Sequence, residues 1–214
     1  MFVFTQEHSI ANQFIAELRD ENIQQDSFRF RTNMERLGAL FAYEISKQLQ
    51  FNAVSTKTPL GQATTQVLAQ QPVLATILRA SLPLYQGFLN IFDKAESAFI
   101  GAYRGPHNDD NSFEIVQGYT ATPNLQDRIL ILIDPMLATG KSMVSTYKQL
   151  LKFGHPVQLH IVSIIASKEG VNYVKNLLPE AQLWMGDIDD EMNQKSYIVP
   201  GLGDAGDLAF GEKL

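Results

Sequence analysis

The stretch "ILILIDPMLATGKSM", residues 129 to 143, holds the residue types best placed for chemistry. An apolar run ends in Asp134, and Thr139, Gly140, Lys141 and Ser142 follow within a few positions. Gly140-Lys141-Ser142 looks like the end of a P-loop, which reads Gly, four residues, then Gly-Lys-Ser/Thr. Counting back, that first glycine falls at residue 135, where Pro135 stands. Proline lacks the N–H and the φ freedom the loop uses there. The apolar run "HIVSIIAS" also ends without the carboxylate that would accompany such a loop. A different phosphate fits better. A turn leading from a strand into a helix offers backbone N–H groups and the positive end of the helix dipole to an anion. Asp134 would repel a phosphate, but it suits neutral ribose hydroxyls or a magnesium-linked group, and a carboxylate accepts hydrogen bonds from two sugar hydroxyls. The stretch therefore suits a 5-phosphorylated ribose, with the carboxylate on the sugar and the turn on the phosphate. An ordinary strand-to-helix turn capped by Thr139 has the same composition, and composition alone does not separate the two.

These residues need a frame. "VLATIL" (73–78), "SAFIGAYR" (97–104), "SFEIVQGY" (112–119), "RILILID" (128–134), "VQLHIVSIIAS" (157–167) and "AQLWMGDID" (181–189) read as strands. Helices are expected after Ser9, with Ile10, Phe14, Ile15 and Leu18 on one face, and over Ser27 to Leu49. Others follow over 82–92, over 140–154 ending at Gly154, and near Lys168 to Leu178. Lys57 to Gly61 marks a turn between two short strands. Strands alternating with helices predict an α/β fold with a mainly parallel twisted sheet flanked by helices. Ligands of such sheets bind beyond the carboxyl ends of the strands. That places Asp134 and Arg79, which directly follows "VLATIL", at the ligand end. The polar stretch "GPHNDDN" (105–111) is expected to be a mobile loop able to close over a ligand. The tail "YIVPGLGDAGDLAFGEKL" holds Pro200 and four glycines and reads as a shaped loop.

With 214 residues and 45% hydrophobic content, the chain is sized for one core, so one domain over 1–214 is expected, with the tail from about 195 as an appendage. The formal charge of -6 and the lack of any Lys/Arg-rich run speak against nucleic acid as a partner. Without cysteine there is no thiol nucleophile, Cys-based zinc site or disulfide. No signal peptide opens the chain, and no apolar run approaches the ~20 residues needed to span a bilayer. A cytoplasmic protein with no membrane partner is expected. His8, His107, His155 and His160 are scattered and offer no general-base cluster.

"DPMLATGKS" resembles the 5-phosphoribosyl diphosphate (PRPP) loop of the phosphoribosyltransferase family, and of its uracil-specific members in particular, which usually read DPMLATGGS. "YIVPGLGDAGD" is similar to those members' uracil-binding segment, "ILRAS" to their ILRAG, "AYR" to their MYR and "FRTNMERLGALFAYE" to their early helix. The likeness runs through nearly the whole chain in the right order. It implies transfer of the phosphoribosyl group from PRPP to N1 of uracil, giving UMP and pyrophosphate in pyrimidine salvage. It implies that Asp134, Pro135, Met136, Leu137, Ala138, Thr139, Gly140, Lys141 and Ser142 hold ribose and 5-phosphate. Arg79 and Arg104 match arginines that contact PRPP near its diphosphate. Ile198, Gly203, Asp204 and Ala205 match the uracil-contacting segment. Asp204 also matches an acidic residue associated with PRPP, acting through magnesium or water. Asp134, Arg79 and Asp204 are the catalytic candidates, Mg2+ is the implied cofactor, held mainly by PRPP, and a homodimer or larger homo-oligomer is the implied assembly. Helix 27–49 would supply an interface or cover the sheet within one chain. GTP activation, found in some members, has no feature here that supports it. Tyr197 reads either as a surface against the base or as a core aromatic.

Three positions depart from the family pattern. Lys141 replaces the second glycine of the loop, Ser81 the glycine of ILRAG, and Leu208 a Lys or Arg in the tail. A Cβ at Ser81 would alter the backbone that meets PRPP, and the three together bear on catalytic efficiency and nucleotide regulation more than on the base. Competing readings are a nucleotide-sensing regulator of the same fold without turnover, a phosphoribosyltransferase for another base, and a P-loop kinase.

Overall fold

The computed structural model describes residues 1–107 and 113–213, without side chains for 102–107 and 113–117. Its strands are β1 (Phe2–Val3), β2 (Phe51–Thr58), β3 (Gly61–Leu68), β4 (Val73–Leu78), β5 (Glu96–His107), β6 (Phe113–Ala121), β7 (Ile129–Ile133), β8 (Met136–Leu137), β9 (Gln158–Ser167), β10 (Gln182–Asp189), β11 (Glu191–Met192) and β12 (Ile198–Val199). Its helices are α1 (Ile10–Arg19), α2 (Ser27–Ser46), α3 (Leu82–Leu89), α4 (Lys141–Leu150), α5 (Lys168–Leu177) and α6 (Ala205–Phe210). The central sheet runs β1-β10-β9-β7-β4-β5-β6, with β8 beside β9. Its pairings are parallel except that of β5 with β6. The expected α/β fold with a mainly parallel sheet is therefore present.

Strand periodicity explains the two cores. Along β7, Ile129, Ile131 and Ile133 join a cluster with Ile15 and Leu18 of α1, Phe30, Leu37 and Phe41 of α2, and Phe88 of α3. Leu130 and Leu132 point to the opposite face, against Met143 and Tyr147 of α4 and Val171 and Val174 of α5. A strand covered on both faces has no polar side to present, which is why "ILILI" is uninterrupted. Helix α2 covers the sheet within the chain: Met34, Leu37, Phe41 and Ile45 have no exposed surface.

Several boundaries differ from the sequence reading. Ser9 stands at the start of α1 but makes no side-chain cap bond. The buried stripe is Ala11, Ile15 and Leu18, whereas Ile10 is exposed, because the stripe begins one residue later around the helix. Helix α2 stops at Ser46, and tight turns then carry Leu49 into the core. Helix α3 stops at Leu89, although Phe92 is buried beyond it. The 140–154 helix is α4 plus a short 3-10 turn before Gly154. Gly105 to His107 continue β5, and the rest of the expected closing loop, 108–111, lies outside the described residues. The tail contains a short helix, α6, because Asp204 caps it: its Oδ1 accepts the N–H groups of Gly206 at 2.9 Å and Asp207 at 3.1 Å. No helix among the described residues is long and apolar enough to cross a membrane.

Candidate functional site at the switch of the sheet

Strands β4 and β7 are parallel neighbours. The chain leaves β4 through α3 toward β5, and leaves β7 through α4 toward β9. The two crossovers run in opposite directions, so a crevice opens beyond the two carboxyl ends. Arg79 follows β4 and Asp134 follows β7, which brings two candidates 55 positions apart in sequence to one edge.

The turn after β7 is tied to β9 at each step. The Asp134 N–H donates to the Val162 carbonyl at 3.1 Å, and the Pro135 carbonyl accepts from Ile164 at 2.9 Å and Ile165 at 3.1 Å. Met136 and Leu137 then pair as β8 with Ile165 and Ala166. The Ser167 hydroxyl donates to the Ala138 carbonyl at 2.6 Å and accepts the Gly170 N–H at 2.8 Å. Gly140 closes the turn at φ 74°, in the left-handed region, and a side chain there would meet the Gly170 carbonyl and Tyr173. The start of α4 beyond it carries N–H groups without intrahelical partners, as every helix start does. The Thr139 hydroxyl accepts the Lys141 N–H at only 3.4 Å, so the plain capped turn is poorly made.

A cavity of about 200 Å³ lies against this turn. One wall is Asp134, Met136 to Gly140, Ser142 and Met143, and the other is Ser196 to Ile198 and Gly203 to Gly206, with Ala80 beside them. Ile198, Gly203, Asp204 and Ala205 thus face the same space as the turn, although some sixty positions separate the two walls. Protein packs around the Asp134 carboxyl, and this desolvation pushes its pKa up to about 7; the Met136 N–H, at 3.3 Å, acts in the opposite direction. Asp204 spends Oδ1 on its helix cap, and its Oδ2 is 3.7 Å from the Lys213 ammonium. The Arg79 Nη2 donates to Asp207 Oδ1 at 2.8 Å and to the Gly211 carbonyl at 2.7 Å, while its Nε is buried without a protein acceptor among the described residues. The backbone of Arg104 pairs with Ile115 within β5 and β6, and its side chain lies outside the described residues.

A family model described as uracil phosphoribosyltransferase matches residues 5–212. The chain belongs to the uracil phosphoribosyltransferase family. A uracil phosphoribosyltransferase of Porphyromonas gingivalis is 51% identical over 209 residues, spanning 97% of this chain and 96% of that protein. One from Thermococcus gammatolerans is 37% identical over 206 residues, spanning 94% and 89%. A solved protein from Aquifex aeolicus superposes with a TM-score of 0.85 at 28% identity, covering 96% of each chain.

Within this uracil phosphoribosyltransferase framework the three departures find distinct places. The Lys141 side chain is exposed on the outer flank of α4 and lines a separate groove with Lys148, Lys152 and Tyr173. Lys141→Ala is accordingly expected to change kcat/KM for PRPP by no more than about threefold, as for an ordinary surface position. A loss beyond tenfold in steady-state assays would put its ammonium on the phosphate. Ser81 is fully buried, and its hydroxyl bonds the Thr76 hydroxyl at 2.6 Å and the Ile77 carbonyl. Its backbone (φ -78°, ψ -11°) is one that any residue adopts, so the Cβ is accommodated and the chain before α3 does not need glycine. Leu208 packs against the core cluster of α2 and the tail. Tyr197 is 42% exposed and lines the cavity, which removes it from the core. Neither Asp207, the partner of Arg79, nor the cavity residues Ser196, Met143 and Gly206 stand out in the sequence as site residues. Asp207 was visible only as the last residue of GDAGD.

Proposed function

We propose that this chain transfers the 5-phosphoribosyl group of PRPP to N1 of uracil, releasing pyrophosphate and forming UMP. One observation carries the reading: the turn 134–142 and the tail 196–206 line a single cavity at the switch of the sheet. In this reading, N–H groups at the start of α4 hold the 5-phosphate, and the ionised Asp134 accepts the ribose hydroxyls. The backbone around Ile198 and Gly203 to Ala205 reads the alternating donors and acceptors of uracil. Arg79 exchanges its contacts with Asp207 and the Gly211 carbonyl for the diphosphate. Uracil N1 forms the new bond to C1 as the C1–O bond to diphosphate breaks, and the N1 proton passes to the departing diphosphate or to water. No histidine lines the cavity among the described residues, and positioning and leaving-group stabilisation contribute more to the rate than a strong general base.

Magnesium fits this site as part of the substrate. Among the described residues no three Asp, Glu or His side chains converge as a metal site. Mg2+ commonly keeps waters and substrate oxygens with one or two carboxylates. Asp134 and the second oxygen of Asp204 are the cavity carboxylates available to it. When bound, the ion would offset charge on the departing diphosphate.

Product binding tests the shared cavity. UMP should slow hydrogen exchange at 138–142 and at 198–206 together, and IMP at the same concentration should not. Protection of one stretch alone would split the site.

The domain and assembly follow from the same reading. The chain acts as one phosphoribosyltransferase domain, completed by its tail. A second copy docks on the β2–β3 ribbon, whose strands, among the described residues, pair only with each other and bury no residue. A lone two-stranded hairpin is marginal in water and needs a surface to rest on. The ribbon carries Lys57 as its one charge within a chain of net charge -6, so two copies meet there with little charge repulsion. Light scattering should report a dimer, and replacing 54–65 by a short turn should yield monomers. Monomers from both would contradict this arrangement.

A further inference from the structure

The two walls of the cavity are held differently. The turn after β7 is stitched into the central sheet, whereas the tail from Ile198 to Asp204 pairs, among the described residues, only through the two-residue strand β12, with β11, before running on as a loop that would read its base through backbone groups. For such a loop, recognition depends on its path. Its midpoint, Gly201, does not line the cavity, yet both of its polar backbone groups are engaged. The Gly201 N–H donates to Asp189 Oδ2 at 2.9 Å, and its carbonyl accepts from Arg19 Nη1 at 2.8 Å. Arg19 also forks onto Asp189, Nη1 to Oδ2 at 2.9 Å and Nη2 to Oδ1 at 2.7 Å, and reaches Asp187 Oδ2 at 2.8 Å. Asp187 in turn accepts the Thr5 hydroxyl at 2.6 Å. With its amide nitrogen turned toward the carbonyls, Gln24 adds a donor to Leu202 at 2.8 Å. Gly201 lies at φ 59°, and a Cβ there would sit 2.2 Å from the Ile198 carbonyl oxygen, so the clamped conformation admits only glycine.

We propose that Arg19 and Asp189 are positioning residues for base recognition. They form a clamp from the end of α1 and the end of β10 that fixes Gly201 and, through it, the neighbouring Ile198 and Gly203 to Ala205. Neither residue lines the cavity, so neither touches a ligand there. Guanidinium geometry matters because one nitrogen serves both the carboxylate and the carbonyl; a lysine ammonium keeps the charge but not the fork. The turn 134–142 makes no part of the clamp, so disturbing it should degrade the base side and spare the PRPP side.

The inference rests on the tail as the uracil wall, and kinetics on Arg19→Lys separate the two ideas. The variant is expected to raise KM for uracil about tenfold or more, with KM for PRPP within about twofold of the parent. A merely structural ion pair would be rescued by lysine, or would shift both constants alike as the fold loosened; either result in a variant that melts cooperatively would overturn the clamp. Failure of the parent to use uracil would instead overturn the assignment of the tail. Should Arg19→Lys not fold, hydrogen exchange on the parent decides: the Gly201 amide is expected to be strongly protected, and exchange at its unstructured rate would refute the clamp. Asp189→Asn should then speed exchange at Gly201 more than at Gly140.

Discussion

Arg79→Ala is expected to lower kcat/KM for PRPP by about a thousandfold while leaving the protein folded. The size follows from position. Arg79 is the first residue after β4, beside the carboxyl end of β7, where a departing diphosphate would gather negative charge next to the cavity. A guanidinium there forks to phosphate oxygens and stays charged through the reaction. Its partners, Asp207 and the Gly211 carbonyl, belong to the tail and hold the guanidinium beside the end of β4. The Arg79–Asp207 pair is about a third exposed on both sides. Such pairs contribute roughly 0–1 kcal/mol, so the thermal midpoint should move little. Near-normal PRPP kinetics in a folded variant would remove Arg79 from the diphosphate.

Asp134→Asn should trade stability against function, in a pH-dependent way. Burial raises the folded-state pKa of Asp134 from 3.8 to about 7. The folded state then binds more protons than the unfolded chain between those values. Stability from this group is intact below pH 3.8, falls as pH rises toward 7, and stays reduced above it. Asparagine keeps the Met136 contact without the buried charge. The variant should therefore melt with the parent near pH 4 and above it near pH 8, by roughly 1–3 kcal/mol in stability. PRPP use should move the other way. Ribose hydroxyls donate to the ionised carboxylate, so in the parent PRPP affinity should fall as pH drops below about 7, by up to tenfold per unit. The variant should bind PRPP weakly at pH 8 and lose this part of the slope. Calorimetric titration of both proteins from pH 5.5 to 8.5 isolates the Asp134 contribution from the titration of PRPP itself. Equal slopes would mean that Asp134 does not meet the ribose.

The sheet and the turn were legible because their signals are local. "ILILI" is apolar on both faces, so the strand and its two-sided burial follow from five adjacent residues. Pro135 opposed a P-loop on the sequence alone, and the structure shows what holds it in place: its carbonyl takes two N–H groups from β9. Lys141 pulled the other way, since its letter matches a nucleotide motif while its side chain leaves by the outer flank of α4. Long-range pairs were not legible. Arg79 and Asp207 are 128 positions apart, and Arg19 meets Asp187, Asp189 and Gly201 across 168 to 182 positions. Spacing carries no information about such contacts; topology does. Asp204 shows a subtler difficulty. A carboxylate in a glycine-rich tail reads as chemistry, yet one of its oxygens is spent capping a six-residue helix too short for periodicity to reveal.

Turnover tests most directly the proposal that one cavity joins PRPP to uracil. The protein is incubated with PRPP and magnesium, in turn with uracil, hypoxanthine and xanthine, and pyrophosphate and nucleotide products are followed. Uracil alone should release pyrophosphate, with UMP formed in equal amount. PRPP binding with no base consumed, or turnover of a purine in place of uracil, would contradict it.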